Sequence, residues 1–154
     1  MAEGLEGAGS FIIDQLVLVT STGLSVDLLT SVMGLTLYED IETSCITGTI
    51  MIQDSVNLAS FGPIIVLSFV SQELIKDQRT KVTQSLTGTW SDIVKKMMVE
   101  YLKTKKSVRV ENTSGVKKFV APNVRPLDII RMAKEQAVSN FKDEPTFLFY
   151  ETLK

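Results

Sequence analysis

Seven large apolar residues, Trp90, Ile93, Val94, Met97, Met98, Tyr101 and Leu102, fall at i, i+3, i+4, i+7, i+8, i+11 and i+12, which commits this stretch to one face of an amphipathic helix. A face that wide must be buried, so the chain has to supply a second layer. The start is marked as well. Thr89 followed by Asp92 resembles a capping box with Asp in place of Glu, and Lys103, Lys105 and Lys106 complement the negative end of the helix. A second helix is expected from Pro126, whose fixed φ suits the first helical position, with Ile129, Ile130, Ala133 and Ala137 inward and Arg131, Lys134 and Glu135 toward water. QELIKDQR, residues 72–79, reads as a short helix.

Much of the rest reads as strand. FIIDQLVLVTS from Phe11 is rich in β-branched residues, with both faces expected to be covered. Ser21-Thr22-Gly23 is a turn signal, and residues 26–29 form a short strand or edge. LTLYEDI and CITGTIMIQDS read as an antiparallel hairpin, with Leu35 and Leu37 on one face and Thr36 and Tyr38 on the other. Asp54 is placed to cap a short helix over SVNLASF. The apolar run after Gly62-Pro63 resists reading, because a Gly-Pro turn should open a loop and no polar connector follows. TKVTQSLTG, SVRVENTSG and TFLFYETL are expected strands, and KKFVAPN a short extended piece. The fold class is α+β: a β-rich region over residues 11–88, preceded by an arm at 1–10, and a mixed α/β region over 89–154.

Charge divides the chain unevenly. Residues 1–75 hold nine acids and no base, while all 16 Lys and Arg and the other nine acids lie from Lys76 onward, so the net −2 joins a −9 region to a +7 region. A base-free region has nothing with which to grip phosphate. With no histidine and one cysteine, Cys45, a Ser-His-Asp triad, a Cys-His pair, a His-ligated metal and an intrachain disulfide are all excluded. Cys45 reads as a buried apolar residue in a strand. No stretch is long and apolar enough to span a membrane, and the glycines at 4, 7 and 9 lack the Gly-Lys-Ser/Thr ending of a phosphate loop.

Residue by residue, no catalytic, cofactor-binding or metal-ligating constellation emerges. Glu39-Asp40-Ile41-Glu42 is the densest acidic cluster but lacks calcium-loop spacing and reads as a solvated hairpin tip. Lys103 to Lys106 and Lys117-Lys118 form a basic patch without interleaved aromatics, as expected of a helix end and a solvated surface. Asn112-Thr113-Ser114 matches a glycosylation sequon and reads as a turn; Trp90 and Met97-Met98 read as core.

Several longer runs carry a resemblance. GLSVDLLTSVMGLTLYEDIETSCITGTIMIQDSVNLASFGPI, SLTGTWSDIVKKMMVEYL, VAPNVRPLDIIRMAKEQAVSN and FLFYETL resemble, in that order, the central baseplate hub protein of contractile-tailed bacteriophages. The resemblance implies a structural virion protein: a tail-tube-type antiparallel β-barrel or sandwich followed by a mixed α/β segment. It further implies a homotrimer joining the tail tube protein to the central spike protein around a channel that DNA crosses without specific binding. Related hubs occur in type VI secretion spikes and other contractile injection systems. The family would be expected to insert further barrel strands around Ile65-Val66, and past Lys154 to supply the rest of the α/β portion and a second barrel, so the chain is expected to be shortened or the ordered part of a longer protein. A single barrel leaves open how a trimer would match a six-fold tube.

On this reading no enzymatic turnover and no cofactor are expected, and the site is a wall or an interface. Glu39, Asp40, Glu42 and Asp54 are expected to lend negative potential to the channel or to a contact with a basic neighbour. Two other classes compete. A small carboxylate-based hydrolase would show two carboxyls in a cleft with one pKa raised, and a charge-mediated adaptor would dock an acidic partner on its basic half.

Overall fold

A computed structural model describes residues 12–53, 63–140 and 146–153. The fold is α+β, with helices and three small antiparallel sheets. The strands are β1 (Val17–Val19), β2 (Ser25–Asp27), β3 (Val32–Tyr38), β4 (Thr47–Gln53), β5 (Ile64–Val70), β6 (Ser85–Gly88) and β7 (Lys117–Val120). The helices are α1 (Gln72–Arg79), α2 (Trp90–Lys96) and α3 (Pro126–Gln136). The chain divides into two compact units, one comprising residues 1–36 and 49–68, the other residues 37–48 and 69–154.

In the first unit β1 and β2 pair as a hairpin, Leu18 opposite Val26. Its turn needs Gly23, whose φ of 85° is left-handed and costs a residue without Cβ little. The expected strand from Phe11 shrinks to Val17–Val19, and its faces are not covered: Val17, Leu18 and Val19 are all exposed. Phe11 and the Asp54-capped helix lie outside the described residues.

Strands β3, β4 and β5 form one sheet in that order. The β3/β4 hairpin is as expected, with Leu35 and Leu37 half-buried and Thr36 and Tyr38 exposed. The run after Pro63 is not a loop but the strand β5. Being apolar on both faces, it offers no two-residue alternation by which to recognise it.

The second unit holds the main core. Leu86 from β6, Trp90, Ile93 and Val94 from α2, and Ile129, Ile130 and Ala133 from α3 are buried together, joined by Val82, Leu102 and Ala121. Thr89 caps α2 as its sequence predicts: its Oγ1 accepts the Asp92 N–H at 3.2 Å and donates to Asp92 Oδ2 at 2.6 Å. Thr89→Ala is expected to cost about 1 kcal/mol, read as a lowered denaturant midpoint at unchanged slope. After Lys96 the helix widens into a π turn, Met97–Tyr101, in which the Leu102 N–H reaches Met97 O. Pro126 opens α3, and the stripe Ile129, Ile130, Ala133 and Ala137 is buried as expected.

Two expected strands lack their ladders. Of SVRVENTSG only an isolated antiparallel bridge forms, Thr113 to Ser139, with the Asn140 N–H on Asn112 O; residues 107–111 and 146–153 belong to no strand among the described residues, and Val108, Val110, Phe147 and Phe149 pack against the core. Their alternation records a buried face, which a helix layer satisfies as well as a sheet does.

Candidate functional site

The acids singled out by sequence sit on a turn between β3 and β4. Glu39, Asp40 and Glu42 are exposed, and Asp40 Oδ1 accepts the Glu42 N–H at 2.8 Å while Asp40 O accepts from Thr43 Oγ1. The Asp40 carboxylate thus closes its own turn. Asp54 lies outside the described residues.

A different set of charges is buried, and sequence reasoning passed over it. Glu73 and Asp77, four apart on α1, are 4% and 2% exposed. Glu73 Oε2 lies 2.5 Å from Lys106 Nζ, and Glu73 Oε1 accepts from Thr104 Oγ1 at 2.7 Å. On its other side Lys106 pairs with Glu151 Oε1. Glu151 Oε2 in turn accepts the Ile46 N–H at 3.0 Å and the Ser71 hydroxyl. One lysine and two carboxylates thereby tie together the start of β4, the start of α1, the 104–106 loop and the segment 146–153. Burial pushes both carboxyls up, but the hydrogen bonds from Lys106, with those from Thr104 to Glu73 and from Ser71 and Ile46 to Glu151, outweigh it and leave both below the ordinary glutamate value. For Lys106 burial acts downward, and the two carboxylates prevail and raise it. The only sequence signal was the i, i+4 spacing of Glu73 and Asp77, which says nothing about which helix face turns inward.

Asp77 serves α3. Its Oδ1 accepts the Leu127 N–H at 2.7 Å, satisfying a donor in the first turn of that helix. Arg125 Nε lies 3.8 Å from Asp77 and 2.9 Å from Asp128, and Arg131 Nη2 also reaches Asp128 at 2.7 Å. Burial raises Asp77 despite the Leu127 N–H and Arg125, whereas hydrogen bonding from Arg125 lowers Asp128. Both line a cavity of about 390 Å³ with Glu42, Cys45 and Lys134. A carboxyl pair with divergent acidities is what acid–base hydrolysis needs, but Asp77 is 2% exposed and its hydrogen bond is committed to the helix. Cys45 is buried as expected but lies in the bend before β4 and not in a strand, its thiol pushed up to about 11 by burial and by Glu151. That places it among inert rather than reactive thiols. Among the described residues no three acidic or Cys side chains are grouped to hold a metal, and no helix is long and apolar enough to cross a membrane.

Two surfaces remain. In the second unit a groove of about 900 Å³ is lined by residues of segments 106–111 and 146–153 and touches the core residues Trp90, Val94, Met98, Ile130, Ala133 and Ala137, which are themselves buried. On β5, Ile64, Ile65 and Val66 are 59%, 45% and 59% exposed, and β3 and β4 add exposed Met33 and Met51. Comparison with protein-family models, curated proteins and solved structures finds no match to this chain.

Proposed function

We propose that this chain is a structural virion protein, a component of the baseplate hub that links a tail tube protein to a central spike protein by assembling as a ring around the DNA channel. It turns over no substrate. It would be made in the host cytoplasm and end in the phage tail. The observation that carries this reading is the apolar surface left on strands: β5 exposes three consecutive branched residues and β1 three more, far more than scattered surface apolars require. Such strands call for cover from neighbouring subunits. The ordered series of segments resembling the hub family supports the same reading, as does the absence of Lys and Arg from residues 1–75, which suits a wall that DNA must slide past. Glu39, Asp40, Glu42 and Asp54 would supply negative potential along that wall or at a contact between subunits.

Native mass spectrometry and electron microscopy of the purified full chain test the proposal. A closed homo-oligomer is expected, a trimer by the resemblance, with interfaces above about 1,000 Å² and strands paired between chains. A monomer at all concentrations up to the millimolar range would overturn it.

A further inference from the structure

Segment 146–153 touches the core of the second unit without belonging to it. Phe147 and Phe149 pack against the core but are only half-buried, Leu148, Tyr150 and Leu153 are exposed, and not one residue of the segment is fully buried. Its backbone makes no hydrogen bond to other backbone among the described residues. The polar attachment runs through a single side chain. Glu151 accepts from the Ile46 N–H at 3.0 Å, from the Ser71 hydroxyl and from Lys106 Nζ, and every hydrogen bond and ion pair between the segment and the other described residues is one of these three. In α2 and α3, by contrast, Trp90, Ile93, Ile129 and Ile130 are at most 3% exposed. A region with few buried contacts and no backbone ladder opens at a fraction of the free energy that unfolds its domain.

We propose that segment 146–153 is a strap that lifts as a unit while α2 and α3 stay folded, and that Glu151 is the latch that holds it down. The charges suit a latch that parts cleanly. Lys106 is shared between Glu151 and Glu73, and Glu73 also takes the Thr104 hydroxyl, so when Glu151 leaves, Lys106 and Glu73 keep each other and no buried charge is stranded. Glu151 itself moves into water, where a carboxylate is well solvated. Lifting bares the lining of the groove of about 900 Å³, including Val94, Met98, Ile130 and Ala133, which the closed strap hides. The strap is a property of one subunit and does not depend on the assembly proposed above.

Native-state proteolysis of the full chain with chymotrypsin, read by mass spectrometry, tests strap and latch separately, because cleavage tracks the population of the open form. Rates at each site are normalised to a synthetic peptide of the same sequence. Cleavage at Phe147, Phe149 and Tyr150 should be at least about tenfold faster than at Trp90, Tyr101 and Leu102, and should rise less steeply with urea, since lifting a strap exposes less surface than unfolding the unit. Equal rates and equal urea dependence at the two sets of sites would mean that the segment leaves only when the whole unit unfolds, and would overturn the strap. Glu151→Ala should speed cleavage at the strap sites about tenfold with far-ultraviolet circular dichroism unchanged. Ser71→Ala removes one of the three bonds without costing α1 a side-chain cap, and should speed it severalfold. Strap-site rates unchanged in Glu151→Ala, or in Ser71→Ala where Glu151→Ala does not fold, would overturn the latch.

Discussion

Trp90→Ala is expected to remove about 3–5 kcal/mol from the stability of the second unit, a loss comparable to the whole stability of a domain at the low end of the usual range of about 5–15 kcal/mol. The indole is 3% exposed and sits where β7, α2 and the groove meet, its ring centroid 5.5 Å from that of Phe119 in a tilted arrangement. Truncation removes the largest side chain from that layer. The neighbouring core residues come from three elements that cannot all move inward, so the cavity would stay largely open. Trp90→Phe separates packing from polarity. Among the described residues the buried indole Nε1 has no hydrogen-bond partner, so phenylalanine gives up volume but also relieves an unsatisfied donor. Its cost should be well under half that of alanine. Chemical denaturation monitored by far-ultraviolet circular dichroism gives both values, and a phenylalanine variant as unstable as the alanine one would show that the indole N–H has a partner.

The helices were legible because their signals are local. Thr89 and Asp92 lie within one turn, Pro126 fixes its own φ, and the stripes of α2 and α3 repeat every three or four residues, so a short window of sequence determines each. Strand pairing is not local. Val108, Val110, Phe147 and Phe149 announce an inward face, but whether a ladder forms depends on a partner that alternation cannot name, and there the structure corrected the expectation. β5 failed in the opposite way, since apolar residues on both sides erase the alternation. The charged cluster was the least visible. Glu73 lies on a largely polar helix and Lys106 in a lysine-rich run, both of which usually face water. What buries Glu73 is the meeting of segments more than 30 residues apart, and only the folded chain contains that information. The acids that the sequence did single out, Glu39, Asp40 and Glu42, are exposed on a turn.

Lys106→Met should cost about 3 kcal/mol at neutral pH and reverse the direction in which stability changes with acid. The lysine is 45% exposed, so its own desolvation is modest, and the magnitude sits at the low end for a broken buried pair. The damage falls on its partners. Without the ammonium, Glu73 and Glu151 face each other as two largely buried carboxylates, with side chains only 6% and 16% exposed. In the unaltered protein both carboxyls are held below their ordinary value, so their contribution is fully present above about pH 4.5 and is lost as pH falls through the folded-state values. Lys106 is raised, so its contribution is full below its ordinary value of 10.5 and disappears as pH climbs past its folded-state value. Asp77, raised by burial, opposes the acid loss but is one group against Glu73, Glu151, Asp92 and Asp128. In Lys106→Met the desolvation that the ammonium had offset is left to act, raising both glutamates, and the variant gains stability as they protonate on acidification. Denaturation midpoints measured from pH 4 to 8 should therefore converge for the two proteins toward the acid end. Parallel curves would mean that Glu73 and Glu151 are neutralised by something other than Lys106, and Glu151→Gln in the Lys106→Met background, expected to restore part of the lost stability, would then have no effect.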